Sequence, residues 1–245
     1  MKKLIVANWK MNPATVAQAI RLARAEDAPG VVIAPPFPFL GAVRKVLKKS
    51  HLGAQDAFWI PKGAYTGKVS AHQLKHLRVM YVIIGHSERR ALGDTDEIVN
   101  KKVKAAFKEG LKVVLCVGEP RTVRRQGIGA AKRFVAAQLK KGLTGTKNLK
   151  LKTKNLIVAY EPVWAIGSGT ADKPAEAAAM ARFVKDFLKT KNYKLTTLVL
   201  YGGSVTSRNA AAFLGQEEID GALVGGASLS SQQLRKIIFA ARSIQ

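Results

Sequence analysis

Eight short apolar runs, each followed by a polar or glycine-containing loop, set the limits on what this chain can fold into. They are Leu4 to Ala7, Val31 to Ala34, Leu52 to Ala54, Tyr81 to Ile84, Val113 to Val117, Leu156 to Tyr160, Leu198 to Tyr201 and Ala222 to Val224. Such runs are the mark of strands buried on both faces. The segments between them read as helices: Ala14 to Asp27, ended by Pro29-Gly30; a short basic helix from Gly41 to Lys49; Lys132 to Lys140; and the alanine-rich Ala175 to Leu188. Eight strand-helix units in about 250 residues are what a closed (β/α)8 barrel requires. A doubly wound open sheet with extra elements is the alternative. No low-complexity tract divides the 245 residues, so residues 1–245 read as one α/β domain.

The charge is lopsided. Forty-one Lys and Arg against 16 Asp and Glu leave a formal net charge of +25. The longest biased stretch, Pro120 to Tyr160, has no acidic residue and includes Arg121, Arg124, Arg125, Lys132, Arg133 and Lys140. Such a surface attracts anionic substrates, and it also suits weak, non-specific polyanion binding, nucleic acid included. Within the stretch only Phe134 precedes the next strand as an aromatic, so a base-stacking platform is not expected there. The single Cys116 excludes an internal disulfide and fits a reducing, cytoplasmic setting. No run of 18 apolar residues exists, and Asn8, Lys10 and Asn12 interrupt the first run before it could serve as a signal core, so no membrane association is expected.

Function should sit in the loops after the strands. Glu161 follows an apolar run at once, and Pro162 then opens a Trp-bearing loop with Gly167 and Gly169. A carboxylate beneath a loop that is stiff at its start and permissive at its end reads as a base under a lid. Gly85-His86-Ser87-Glu88 follows another run, and a helix starting at Ser87 would disfavour a charged imidazole on His86. Asn8 and Lys10 end the first run two residues apart, so both can face one site. Glu88 could order Lys10 or cap its own turn. Gly202-Gly203-Ser204 and Gly225-Gly226 end the last two runs, where barrels bind phosphate through backbone amides. Glu119 lies where it can touch the lid, and Cys116 reads as inert core. His72 and His76 have helical spacing but lack the Glu of a metal motif, so no metal site is expected. The long loop Ala57 to Ser70 reads as a subunit contact.

Five blocks together carry a resemblance: Asn8-Trp9-Lys10-Met11-Asn12, Gly85-His86-Ser87-Glu88-Arg89-Arg90, Tyr160-Glu161-Pro162-Val163-Trp164-Ala165-Ile166-Gly167-Ser168-Gly169, Tyr201-Gly202-Gly203-Ser204-Val205 and Val224-Gly225-Gly226-Ala227-Ser228-Leu229. In this order and spacing the chain resembles the triosephosphate isomerase family over essentially its whole length. The resemblance implies a TIM barrel that interconverts dihydroxyacetone phosphate and D-glyceraldehyde 3-phosphate without a cofactor. It implies Glu161 as the base, His86 as a neutral electrophile, Lys10 as the stabiliser of negative charge, Asn8 as its neighbour and Glu88 as a second glutamate beside that lysine. Gly167, Ser204, Gly225 and Gly226 match the phosphate grip. These roles are well known for the family and come to this chain by resemblance alone.

The family is usually a homodimer, which is the expectation here. Three positions depart from its pattern. Thr170 replaces a common Lys at the far hinge of the lid, Pro120-Arg121 follows Glu119 where Thr is usual, and Lys68 replaces a common Glu in the Ala57 to Ser70 loop. The resemblance implies that this last position faces Arg89 across the interface, a like-charge contact in this chain.

Overall fold

Alternate residues of the strands belong to two different apolar layers, except that Gly53 of the third strand gives the inner layer no side chain, and that alternation builds the molecule. A computed structural model describes residues 3–146, 155–166, 172–191 and 197–243. Its strands and helices run β1 (Leu4–Asn8), α1 (Val16–Glu26), β2 (Val31–Ala34), α2 (Leu40–Val46), β3 (His51–Ala54), α3 (Ala71–His76), β4 (Tyr81–Ile84), α4 (Ser87–Ala91), α5 (Asp96–Lys108), β5 (Lys112–Val117), α6 (Arg121–Arg124), α7 (Ile128–Gly142), β6 (Leu156–Tyr160), α8 (Pro174–Thr190), β7 (Leu198–Tyr201), α9 (Ala210–Leu214), β8 (Gly221–Val224) and α10 (Ser231–Ser243). The strands are parallel and close into a barrel in sequence order, with β1 paired to β8. The open-sheet alternative is thereby excluded.

Leu4, Val6, Ile83, Val114, Cys116, Ile157, Ala159 and Leu223 pack inside the barrel. Ile5, Ala7, Ile84, Val113, Leu115 and Val158 join the outer layer, between sheet and helices. A period of two sends successive side chains to opposite faces, and both faces are covered, so each run is apolar throughout. Closure demands a close backbone approach where β8 meets β1. A Cβ on Gly221 would lie 1.9 Å from the Leu4 carbonyl oxygen.

The eight expected runs all form strands, with Asn8, His51, Lys112 and Gly221 each adding one residue. Helix limits shift for local reasons. The first helix starts late because Thr15 and Gln18 form a reciprocal cap around it. The second ends at Val46 because the Asp27 carboxylate takes the amides of Lys48, Lys49 and Ser50 at 2.7–2.9 Å. The α8 helix begins at Pro174, whose missing N–H costs nothing in a first turn. Buried Lys102 on α5 ties the end of β3 to the start of α5 through Asp56 and Asp94. Among the described residues, no helix is long and apolar enough to cross a membrane.

Glu26, at the end of α1, is buried against Trp9, whose indole donates to it at 3.0 Å. Its other oxygen has no hydrogen-bond partner among the described residues. Burial pushes its carboxyl up to about 8, only partly opposed by the Trp9 bond. The folded state therefore keeps a proton that the unfolded chain releases from about pH 4.5 upward. This contribution to stability is whole at lower pH and falls as pH rises toward 8, by on the order of 4 kcal/mol. Urea unfolding at pH 5.5 and 8.5 should show that decline in the parent chain and a flatter dependence in Glu26→Gln. Equal pH dependence in the two would refute the assignment.

Candidate active site

The inward parity of the strands continues past their ends and delivers side chains to one mouth. Asn8 shares the parity of Leu4 and Val6, and Glu161 that of Ile157 and Ala159. Parity alone would put His86 outside. Gly85, at φ 75°, turns the chain there, and Arg90 fixes the turn by donating to the Gly85 carbonyl at 2.8 Å and pairing with Asp96 at 2.7 Å. The result is a cavity of about 360 Å³ at the C-terminal end of the barrel. Asn8, Lys10, His86, Glu161, Ser204, Gly225 and Gly226 all line it, together with Asn12, Gly202, Gly203 and Leu223. Glu88 does not line it but stands behind Lys10, 2.6 Å from the ammonium. Gly167 and Thr170 lie outside the described residues.

Glu161 is almost fully buried. One carboxylate oxygen accepts the Ser87 amide at 3.1 Å. The other accepts no hydrogen bond among the described residues and faces His86 Nε2 at 3.4 Å. His86 caps α4: the Glu88 amide donates to its Nδ1 at 3.2 Å. That donation makes Nδ1 an acceptor and places the ring hydrogen of the neutral imidazole on Nε2, pointing into the site. Lys10 adopts φ 53°, a left-handed conformation rare for a long side chain, and its amide donates to Asn8 Oδ1 at 3.0 Å. Gln55 holds the same turn by donating to the Lys10 carbonyl at 2.7 Å. The mouth thus presents a buried carboxylate with a free oxygen, an N–H donor, an ammonium and two glycine-rich loops.

The described part of the loop after β6, read above as a lid, is held by two hydrogen bonds. Val163–Ala165 forms a single helical turn. Trp164 donates to Glu119 at 3.1 Å, and Ser204 donates to the Ala165 carbonyl at 2.9 Å. Beyond the lid, the Asp172 amide donates to the Tyr201 hydroxyl at 3.1 Å. The expected contact between Glu119 and the lid is therefore present. By sequence Arg124 belongs to a solvated basic stretch; the structure draws it inward, bonded to Glu176, 3.5 Å from Asp172, 3.6 Å from Glu119 and stacked on Trp164. Burial pushes Asp172 up to about 6 despite that guanidinium. Ser87, Asp172 and Tyr201 stand around the cavity in ways the sequence does not reveal: Ser87 and Tyr201 fall within the quoted blocks, but the Ser87 amide bond to Glu161 and the Asp172 amide bond to the Tyr201 hydroxyl carry no residue signature.

Cys116 is inert core as expected, its thiol raised well above the ordinary range by burial and then by nearby Glu161. His72 and His76 are exposed on α3, with His72 beside Glu109 at 3.3 Å. Among the described residues no group of three His, Cys, Asp or Glu side chains is placed to hold a metal.

The sequence profile described as Triosephosphate isomerase matches residues 3–241. The triosephosphate isomerase of Acidithiobacillus ferrooxidans is 43% identical over 251 residues, covering 98% of this chain and 96% of that one. Those of Dictyoglomus thermophilum and Aquifex aeolicus are 40% and 38% identical, covering 97% and 98% of this chain and 98% and 99% of their own.

The position of the Glu161 side chain depends on a missing one. A Cβ on Gly202 would sit 2.8 Å from Glu161 Cγ, closer than real contacts allow. The Gly202→Ala crystal structure should show the carboxylate withdrawn from the Ser87 amide. An unmoved carboxylate would mean that the end of β7 yields instead.

Proposed function

This chain belongs to the triosephosphate isomerase family and is an isomerase of triose phosphates, and on that premise we propose how its barrel mouth does the chemistry. Glu161 removes a proton from the carbon beside the substrate carbonyl and returns it to the neighbouring carbon. The intermediate is an enediolate, whose charge needs fixed donors. His86 Nε2–H and the Lys10 ammonium are those donors, and Asn8 and Glu88 hold Lys10 in place. The substrate phosphate sits on the amides of Gly167, Gly225 and Gly226 and on Ser204, and the lid excludes the water that would divert the intermediate. No cofactor enters this scheme.

One observation carries the reading: the free Glu161 oxygen opposite the Nε2 of His86, whose Nδ1 accepts the Glu88 amide, inside a cavity edged by an ammonium. Other phosphate-binding barrels would use the glycine pairs equally well, but they have no need of this carboxylate, imidazole and ammonium together. A coupled assay should show turnover of both triose phosphates. Glu161→Asp should lower kcat about a hundredfold, because a shortened arm misplaces the base by roughly 1 Å. Absence of turnover by folded protein, or near-parental activity in Glu161→Ala, would overturn the assignment.

We also propose a homodimer acting in the reducing cytoplasm, to which the single buried Cys116 is suited. Residues 61–68 are exposed around Tyr65, and Met11, beside the mouth, is 92% exposed, which fits a loop received by a neighbour. Lys68 stacks over its own Phe58 at 5.8 Å, while Arg89 is met within the chain by Asp56 at 3.2 Å and Asp94 at 3.5 Å. These carboxylates reduce the repulsion expected between Lys68 and Arg89 across the interface. Light scattering should report a dimer that weakens at low salt and tightens in Lys68→Glu. A fully active micromolar monomer indifferent to salt would contradict it.

A further inference from the structure

Besides the acid-free stretch, a second group of cations without ion pairs among the described residues lies together on three neighbouring helices. That stretch is partly consumed internally: Arg124 lies among carboxylates, Lys141 is 3.6 Å from Asp96, and Lys132 covers the Phe183 ring. Helix α1 packs between α2 and α10. It exposes Arg21 and Arg24, while α2 and the turn after it carry Arg44, Lys45, Lys48 and Lys49. Helix α10 exposes Arg235, Lys236 and Arg242. None of these nine cations forms an ion pair among the described residues, although 12 lysine or arginine pairs with carboxylates occur elsewhere.

Few acids oppose this face: near Lys3, Asp220 and Glu218 are paired with Lys185 and Arg182, and Glu217 is the exposed one. Glu26 is turned onto Trp9 in the core, and Asp27 is saturated by three backbone amides. Arg235 and Arg242 spend single N–H groups on the carbonyls of Ala25 and Pro29, which fixes their stems and leaves the rest of each guanidinium outward. At the N-terminal end of the barrel a cavity of about 520 Å³ opens beside the face, with Lys3, Lys49 and Arg242 on its rim and Ile5, Val31 and Ile238 in its wall.

Phe239 stands in the middle of the α10 charge and is 73% exposed. Spacings of four and three residues put Arg235, Phe239 and Arg242 on one strip of the helix. The other large apolar residues of α10, namely Leu234, Ile237 and Ile238, are buried in the core. A lone aromatic flanked by guanidinium groups is poorly suited to a membrane surface, which needs a broad apolar face. It is well suited to stack a base while its neighbours neutralise phosphates.

We propose that the face formed by α1, α2 and α10 binds single-stranded nucleic acid without sequence preference, with phosphates on its arginines and lysines and a base on Phe239. This site is separate from the barrel mouth and does not rest on the catalytic reading. The test is fluorescence anisotropy of a labelled oligothymidylate of roughly 20 nucleotides, a length spanning a few sites of this class, titrated with the whole protein across a salt series. Arg235→Ala/Lys236→Ala/Arg242→Ala should flatten the log–log salt slope by about 2, at about 0.7 for each phosphate left without its cation. Phe239→Ala, a change at an exposed position, should weaken binding about tenfold with the slope unchanged. Both should keep parental triose phosphate turnover; Phe239→Ala should also keep the unfolding temperature, which the triple variant lowers by losing its bonds to the Ala25 and Pro29 carbonyls. Arg125→Ala/Arg133→Ala/Lys140→Ala removes the same charge from the α6–α7 region and should matter much less. Equal losses in the two triple variants, or an unaffected Phe239→Ala, would overturn the proposal. So would binding to phosphatidylserine vesicles without binding to the oligonucleotide.

Discussion

The closed hydrogen-bond ladder of the barrel is the constraint on which everything else depends. Because β8 returns to β1, strand direction, tilt and parity are fixed for all eight strands at once. Inward residues must fill the barrel, and the residues that continue their parity beyond the last ladder bond must meet above it. Asn8, the last residue of β1, and Glu161, the first after β6, come from strands three places apart in the ring and share one cavity for that reason. Two close approaches keep the ring tight. A Cβ on Gly118 would lie 1.7 Å from the Glu161 carbonyl oxygen, and one on Gly203 would lie 2.2 Å from the Tyr201 hydroxyl. The backbone under the carboxylate and the loop beside it are therefore set by absent side chains as much as by present ones.

Charge is divided in the same economical way. The 16 acidic residues are placed mostly where a fold or a site needs them: Glu161 and Glu119 at the mouth, Asp56 and Asp94 around buried Lys102, Asp96 under Arg90. The excess of cations stays outside. A phosphorylated substrate approaches such a molecule down a favourable potential, with a rate that falls as salt rises.

Fold and site are legible in the sequence to very different depths. All eight strands can be read because burial on both faces makes each an apolar run broken by Gly or a polar residue, as at Ile84-Gly85 and Val224-Gly225. Glu161, His86 and Lys10 can be read because each closely follows such a run. Partners distant in sequence cannot. Arg124 looks like one of many surface arginines, since Glu176 is 52 residues away. The amide of Ser87 that holds Glu161 has no residue signature at all. The basic face is hidden because its charges come from three separate segments, and counting runs finds only charge that is contiguous along the chain.

That Glu161 carries the proton between two substrate carbons is tested most directly by hydrogen exchange at carbon. Dihydroxyacetone phosphate is incubated with the protein in heavy water and followed by proton NMR. The parental chain should place deuterium on the carbon that receives the proton, because a carboxylic acid formed on Glu161 exchanges with solvent, and Glu161→Gln should place almost none. Deuterium incorporation by a folded Glu161→Gln variant at the parental rate would contradict the account.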